Sequence, residues 1–195
     1  MTPQQTITNA LSEMWTGAIR EKFLSGTLIY ERQLQAELYR LLKERLSVSY
    51  EIWVEPVIYL QEHNLNKVKP DIIITHEQSV VAVIELKFSP WKEADHKGDL
   101  DKLHLFTQAA KEQATIPLSW EPTHPNWEIQ KQNIKTYSLD QNLLPVFMAV
   151  STPAAYAVKQ ATWKEVQVPE NLLHLAGWIN ENGWVDFQVT DKVNI

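Results

Sequence analysis

Apolar positions along this chain alternate between helical and strand spacing, and the alternation outlines an α/β domain. Leu11, Met14, Trp15 and Ile19 recur near one face and predict a helix over residues 8–24, with Gly26 as its stop. Leu34, Leu38, Leu41, Leu42 and Leu46 form a stripe at three-to-four spacing and predict a second helix over 30–46. Residues 50–60 read as a strand, and the polar stretch 61–69 as a connection. Two short apolar runs follow, 71–75 and 80–88, joined by a tight turn. After Pro90, the spacing of Leu100, Leu103, Phe106 and Ala110 predicts a helix beginning near Gly98 and Asp99. Residues 116–127, with Pro117, Pro122 and Pro125, read as a loop. The continuous run 143–150 reads as a buried strand. A terminal helix over 169–179 and a strand over 184–189 complete the pattern. Antiparallel strands followed by a helical crossover predict a mixed sheet with helices on its faces.

The chemistry stands out where apolar strands carry charge. Pro70-Asp71 opens one run, and Glu85-Leu86-Lys87 closes the next. A carboxylate on a buried strand is costly unless it is paired or coordinates a metal. Side chains alternate along a strand, so Glu85 and Lys87 share one face while Leu86 enters the core. If Asp71 lies on that same face, two carboxylates converge and suit a hard cation such as Mg2+ or Mn2+. Such an ion polarises a phosphoryl oxygen and acidifies a bound water. Lys87 is then placed to orient the attacking water or stabilise transition-state charge. This makes a register prediction. Asp71 must oppose an odd-numbered residue, Val83 or Glu85, through a turn of three or five residues. Opposition to Ile84 without a bulge would count against the site.

At these residues the sequence resembles the PD-(D/E)xK nuclease superfamily, with Pro70-Asp71 as its first motif and Glu85-Leu86-Lys87 as its second. The resemblance implies a restriction-endonuclease-like fold, an αβββαβ core over about residues 30–151. The first helix and a C-terminal extension from about 152 to 195 would be additions within a single domain. It also implies Mg2+ or Mn2+ held by Asp71 and Glu85, and hydrolysis of nucleic-acid phosphodiesters, DNA foremost. Many members carry a helix glutamate near the metal. Glu31 and Glu37 are the candidates here, and Glu31 lies slightly nearer the centre of the leucine stripe. Lys102, on the helix after the motif strand, and Lys92 before it are candidate phosphate contacts in a loose ladder with Lys87 and Lys97. A homodimer is compatible with this reading.

Composition narrows the alternatives. The chain has 195 residues, a formal charge of −6 and no cysteine. These exclude disulfides and cysteine-held clusters, and argue against a nonspecific nucleic-acid coat. They do not exclude a nuclease, because a bound metal reverses the local sign. No secretory leader or membrane-length apolar run is present, so the expectation is a cytoplasmic protein without membrane contact. The six histidines lack zinc-site spacing. Of the eight tryptophans, Trp91, Trp120 and Trp127 fall in predicted loops where bases could stack, while core packing accounts for most of the others. The bland rival to the site is a surface strand pair between Glu85 and Lys87. The rival to the nuclease is a catalytically silent binding or assembly protein on the same scaffold.

Overall fold

The computed structural model describes residues 1–60, 65–90, 96–119, 134–151, 168–179 and 185–191. Helix α1 (Pro3–Met14) starts earlier than its apolar stripe. Thr2 caps it, with its side chain accepting from Gln5 N and Gln5 answering in a capping box, and Pro3 fits the first turn. It runs through a π-helical segment (Trp15–Ile19) into α2 (Arg20–Leu24). The π-helical segment contains Trp15, fully buried, whose Nε1 donates to Ala176 O at 3.2 Å. Helix α3 (Glu31–Arg45) and helix α4 (Lys97–Lys111) lie where the spacing places them.

A seven-stranded mixed sheet forms the centre. It uses β1 (Tyr50–Val54), β4 (Ile72–His76), β5 (Ser79–Ser89), β6 (Thr115–Leu118), β7 (Lys135–Ser151), β8 (Leu173–Ile179) and β9 (Val185–Asp191). The order is β1-β4-β5-β7-β8-β9, with β6 paired to the start of β7. The β5–β7 and β7–β8 pairs are parallel, and the rest are antiparallel. Parallel strands need a crossover, and α4 lies between β5 and β7 in the chain. A separate pair, β2 (Ile58–Leu60) with β3 (Leu65–Val68), stands outside this sheet.

Both faces of the sheet are buried. Helices α1 and α3 pack with Ile72, Ile74, Ile84, Leu86, Val146 and Met148 on one side. Helix α4 contributes Leu100, Leu103 and Phe106 to the other, against Ile73, Val83 and Phe147. This two-sided burial explains why 143–150 lacks alternation.

Several expectations need correction. The single strand over 50–60 is two strands, broken at Glu55, which takes a positive φ of 48° beside Pro56. Part of the polar connection 61–69 is strand β3. Part of the proline-marked loop is strand β6, where Pro117 is tolerated because, among the described strands of the sheet, β6 pairs with β7 alone. The terminal helix over 169–179 is instead strand β8. Its run is apolar on both faces, and such a run cannot be told from a buried helix by periodicity. Gly177 decides the local packing there. A Cβ on it would lie 2.9 Å from the Phe187 ring, which covers it from β9. Strands β8 and β9 therefore widen the sheet, and no helix among the described residues is long and apolar enough to cross a membrane.

Candidate active site

The β4–β5 register decides whether the carboxylates meet. The turn is two residues, Glu77-Gln78, with Glu77 at φ 55°. It is not the three or five residues expected. From the pair His76↔Ser79, regular pairing would carry Asp71 opposite Ile84, the register that disfavours a site. A β-bulge corrects it. Thr75 pairs with Val80 but Ile74 pairs with Ala82, so β5 has one extra residue, Val81. Pairing then runs Ile73↔Val83 and Ile72↔Ile84. Continued by one residue, it sets Asp71 across from Glu85.

Both carboxylates, and Lys87 two positions along, face helix α4. Glu85 is 0% exposed. Its Oε2 accepts from Lys102 Nζ at 2.5 Å, while its Oε1 is buried without a hydrogen-bond partner. Burial pushes the Glu85 carboxyl well above the usual carboxylate range, more strongly than Lys102 pulls it down, and Asp71 adds repulsion. Asp71 Oδ2 accepts from Leu86 N at 2.7 Å. Burial raises its pKa as well, opposed by the Leu86 N–H and by Lys102 and reinforced by Glu31 and Asp99.

The backbone at Asp71 is held from two sides. Its carbonyl accepts from Glu55 N at 2.9 Å and from Gln35 Nε2 at 3.2 Å. Gln35 sits one turn into α3, so the same contact fixes the start of that helix against the sheet. Glu31, the first residue of α3, uses its Oε2 to accept from Phe88 N at 3.1 Å. Glu37 is elsewhere, held by Arg40 at 2.5 Å and Lys22 at 3.5 Å, and Arg40 lowers its pKa. The structure thus brings Glu31, and not Glu37, to Asp71, Glu85 and Lys87.

Helix α4 completes the cluster with two residues. Asp99 spans both lysines, its Oδ2 lying 3.1 Å from Lys87 Nζ and its Oδ1 3.1 Å from Lys102 Nζ. Burial lowers the Lys87 pKa, but Asp99, Glu31 and Asp71 outweigh it and leave the ammonium raised. Lys102 is raised in the same way, by Glu85 and Asp99 against burial. Lys102, a candidate phosphate contact, lies on the site carboxylates Glu85 and Asp99, because α4 packs over β5. Lys92, Trp91, Trp120 and Trp127 lie outside the described residues.

Four carboxylates, Glu31, Asp71, Glu85 and Asp99, surround two lysines, a formal excess of two negative charges. Among the described residues no cluster of three or more His, Cys, Asp or Glu is arranged to hold a metal. A divalent ion does not need one. Mg2+ commonly binds through one or two carboxylates and takes its remaining ligands from water and phosphate. The opposed Asp71 and Glu85, with the unpartnered Oε1 of Glu85, fit that donor set.

Sequence reasoning did not assign Asp99 or Gln35 a site role. The signal for Asp99 was its position three residues before Lys102, on one helix face. Gln35 left no comparable signal. A polar residue inside a leucine stripe was its only mark. No family model, no curated protein and no solved structure matches the chain.

Proposed function

We propose that this protein is a divalent-metal-dependent nuclease of the restriction-endonuclease-like fold, hydrolysing phosphodiester bonds of DNA. The observation that carries the reading is the bulge-set register that opposes Asp71 to Glu85, with Lys87 on the same face. A bulge that turns charged side chains onto one face of a sheet, at a cost in burial, is the kind of feature found beside active sites.

Asp71 and Glu85 would hold Mg2+ or Mn2+. When bound, the ion would supply charge stabilisation at the phosphoryl oxygen and a more acidic water. The remaining work falls to the chain. Lys87 is the cation placed to orient the nucleophile and to offset charge that develops on the phosphorus oxygens. Asp99 positions that ammonium. Glu31, tied to the Phe88 amide, lies close enough to Asp71 and Lys87 to act on both and assists directly or through water.

The second reading is a silent binding or assembly protein. It draws support from the Lys102–Glu85 and Lys87–Asp99 pairs, which balance much of the site's charge without a metal. The test is cleavage of linear, nicked and single-stranded DNA, and of RNA, by purified protein with Mg2+ or Mn2+. Cleavage that depends on Lys87 supports the nuclease. No cleavage of any substrate with either metal transfers the scaffold to the silent class.

A further inference from the structure

We infer that Lys102 is a tethered cation that stands in for the metal: its ammonium and a divalent ion at Glu85 exclude one another. This rests on the reading of Asp71 and Glu85 as metal ligands.

A carboxylate as deeply buried as Glu85 needs a counter-charge close by. Lys87, the lysine on its own strand, does not supply it, because its ammonium lies on Asp99. Lys102 does, at 2.5 Å. An ammonium engages only one of the two oxygens, so Oε1 stays unpartnered in a buried position. The carboxylate is therefore only half used by its resident cation. A divalent ion brings twice the charge and takes several oxygen ligands, and so suits the Asp71–Glu85 pair better than a single ammonium does.

Lys102 also has somewhere to go. Its side chain is 29% exposed, unlike the fully enclosed Glu85. Asp99 Oδ1, one turn back on α4, is already 3.1 Å from its Nζ. The flexible four-carbon stem can therefore keep one carboxylate partner while releasing the other. Repulsion between an ammonium and a divalent ion a few ångströms away makes simultaneous occupancy unfavourable. In this arrangement Lys102 holds the site together without metal and sets the metal concentration at which the site fills.

The test reads metal binding by the intact, DNA-free protein. Isothermal titration with Mn2+ should show Lys102→Met binding about tenfold tighter than the parent or more, since a competing cation is gone. In the unaltered protein, the side-chain 15Nζ resonance of Lys102, assigned by its loss in Lys102→Arg, should shift as Mg2+ saturates the site. If Lys102→Met does not fold, that resonance decides alone. Equal or weaker Mn2+ binding by folded Lys102→Met, or a Lys102 resonance unmoved by saturating Mg2+, overturns the inference and leaves the metal reading standing. If neither the parent nor Lys102→Met binds either ion, both fall together.

Discussion

One row of side chains crosses the sheet from Asp71 through Glu85 and Phe147 to His174, and its two halves behave differently. Phe147 is the register partner of both Glu85 and His174. Glu85 and His174 are comparably buried, at 0% and 2% exposure. On the Glu85 side, α4 supplies Lys102 and Asp99, and the row is crowded with charge. On the His174 side, the ring stacks on Phe147 at 5.7 Å, and His96 meets the same Phe147 ring edge-on at 5.1 Å. Burial, with His96 adding repulsion, pushes His174 down to about 4. At equal depth, Glu85 lies among the charges of Lys102 and Asp99, while burial holds His174 neutral down to about pH 4. Near neutral pH the charged half bears an electrostatic cost that the neutral half avoids.

The largest effect should come from removing the charge at the centre of the row. Glu85→Gln should lower cleavage by at least about 100-fold and abolish any metal-dependent rise in Tm. It should also stabilise the metal-free protein at neutral pH. The native carboxyl holds its proton to higher pH than the unfolded one, near 4.5, so this group's contribution falls as pH rises from there. The gain in Tm should accordingly shrink toward pH 4. A Tm equal to or below that of the parent at pH 7.5 would mean the Lys102 pair outweighs burial.

Asp99→Asn separates position from charge within the same half. Both lysines lose their shared anchor while neither is removed. Cleavage should drop by roughly 10- to 100-fold, chiefly in kcat, with Mn2+ binding retained. Unchanged kcat would show that Lys87 needs no holding from α4.

The neutral half makes a contrasting prediction in acid. Unfolded histidine takes up a proton near 6.5, but native His174 does so only near 4. Stability should therefore fall as pH drops from about 6.5 to 4, by at most about 3 kcal/mol from this group. His174→Gln should flatten that part of the urea-denaturation pH profile. A profile as steep as the parent's would assign the acid sensitivity elsewhere.

The smallest effects test the helix glutamates. Glu31→Gln should reduce cleavage by roughly tenfold, because its carboxylate acts on Asp71 and Lys87. Glu37→Gln, on the Arg40 and Lys22 side, should leave cleavage unchanged. Equal losses in the two variants would break the geometric distinction between them.

What could be read from the sequence follows from how far each signal reaches. The leucine stripe of α3 and the spacing of α4 are local and strong, and both helices sit where they were expected. Asp71, Glu85 and Lys87 were legible as charges at the ends of apolar strands. How Asp71 comes to face them was not, because Val81 is one β-branched residue among several and nothing local marks it as a bulge. Strand β8 was misread because burial on both faces erases period-two alternation. Its true partner signal, Gly177 under Phe187, joins residues on different strands. Lys102 reads from the sequence as a candidate phosphate contact, and its ion pair with Glu85 depends on how α4 crosses β5, a tertiary fact that spacing does not contain.

The central claim is that the charged half of the row cleaves phosphodiesters with a bound divalent ion. The most direct measurement is DNA cleavage by the parent and by Lys87→Ala, with Mn2+ binding measured on the same samples. The account predicts metal-dependent cleavage by the parent, a loss of roughly 100-fold or more in Lys87→Ala, and Mn2+ binding preserved in both. Cleavage by Lys87→Ala at the parent's rate would contradict the role given to this lysine, and an absence of Mn2+ binding by the parent would contradict the site.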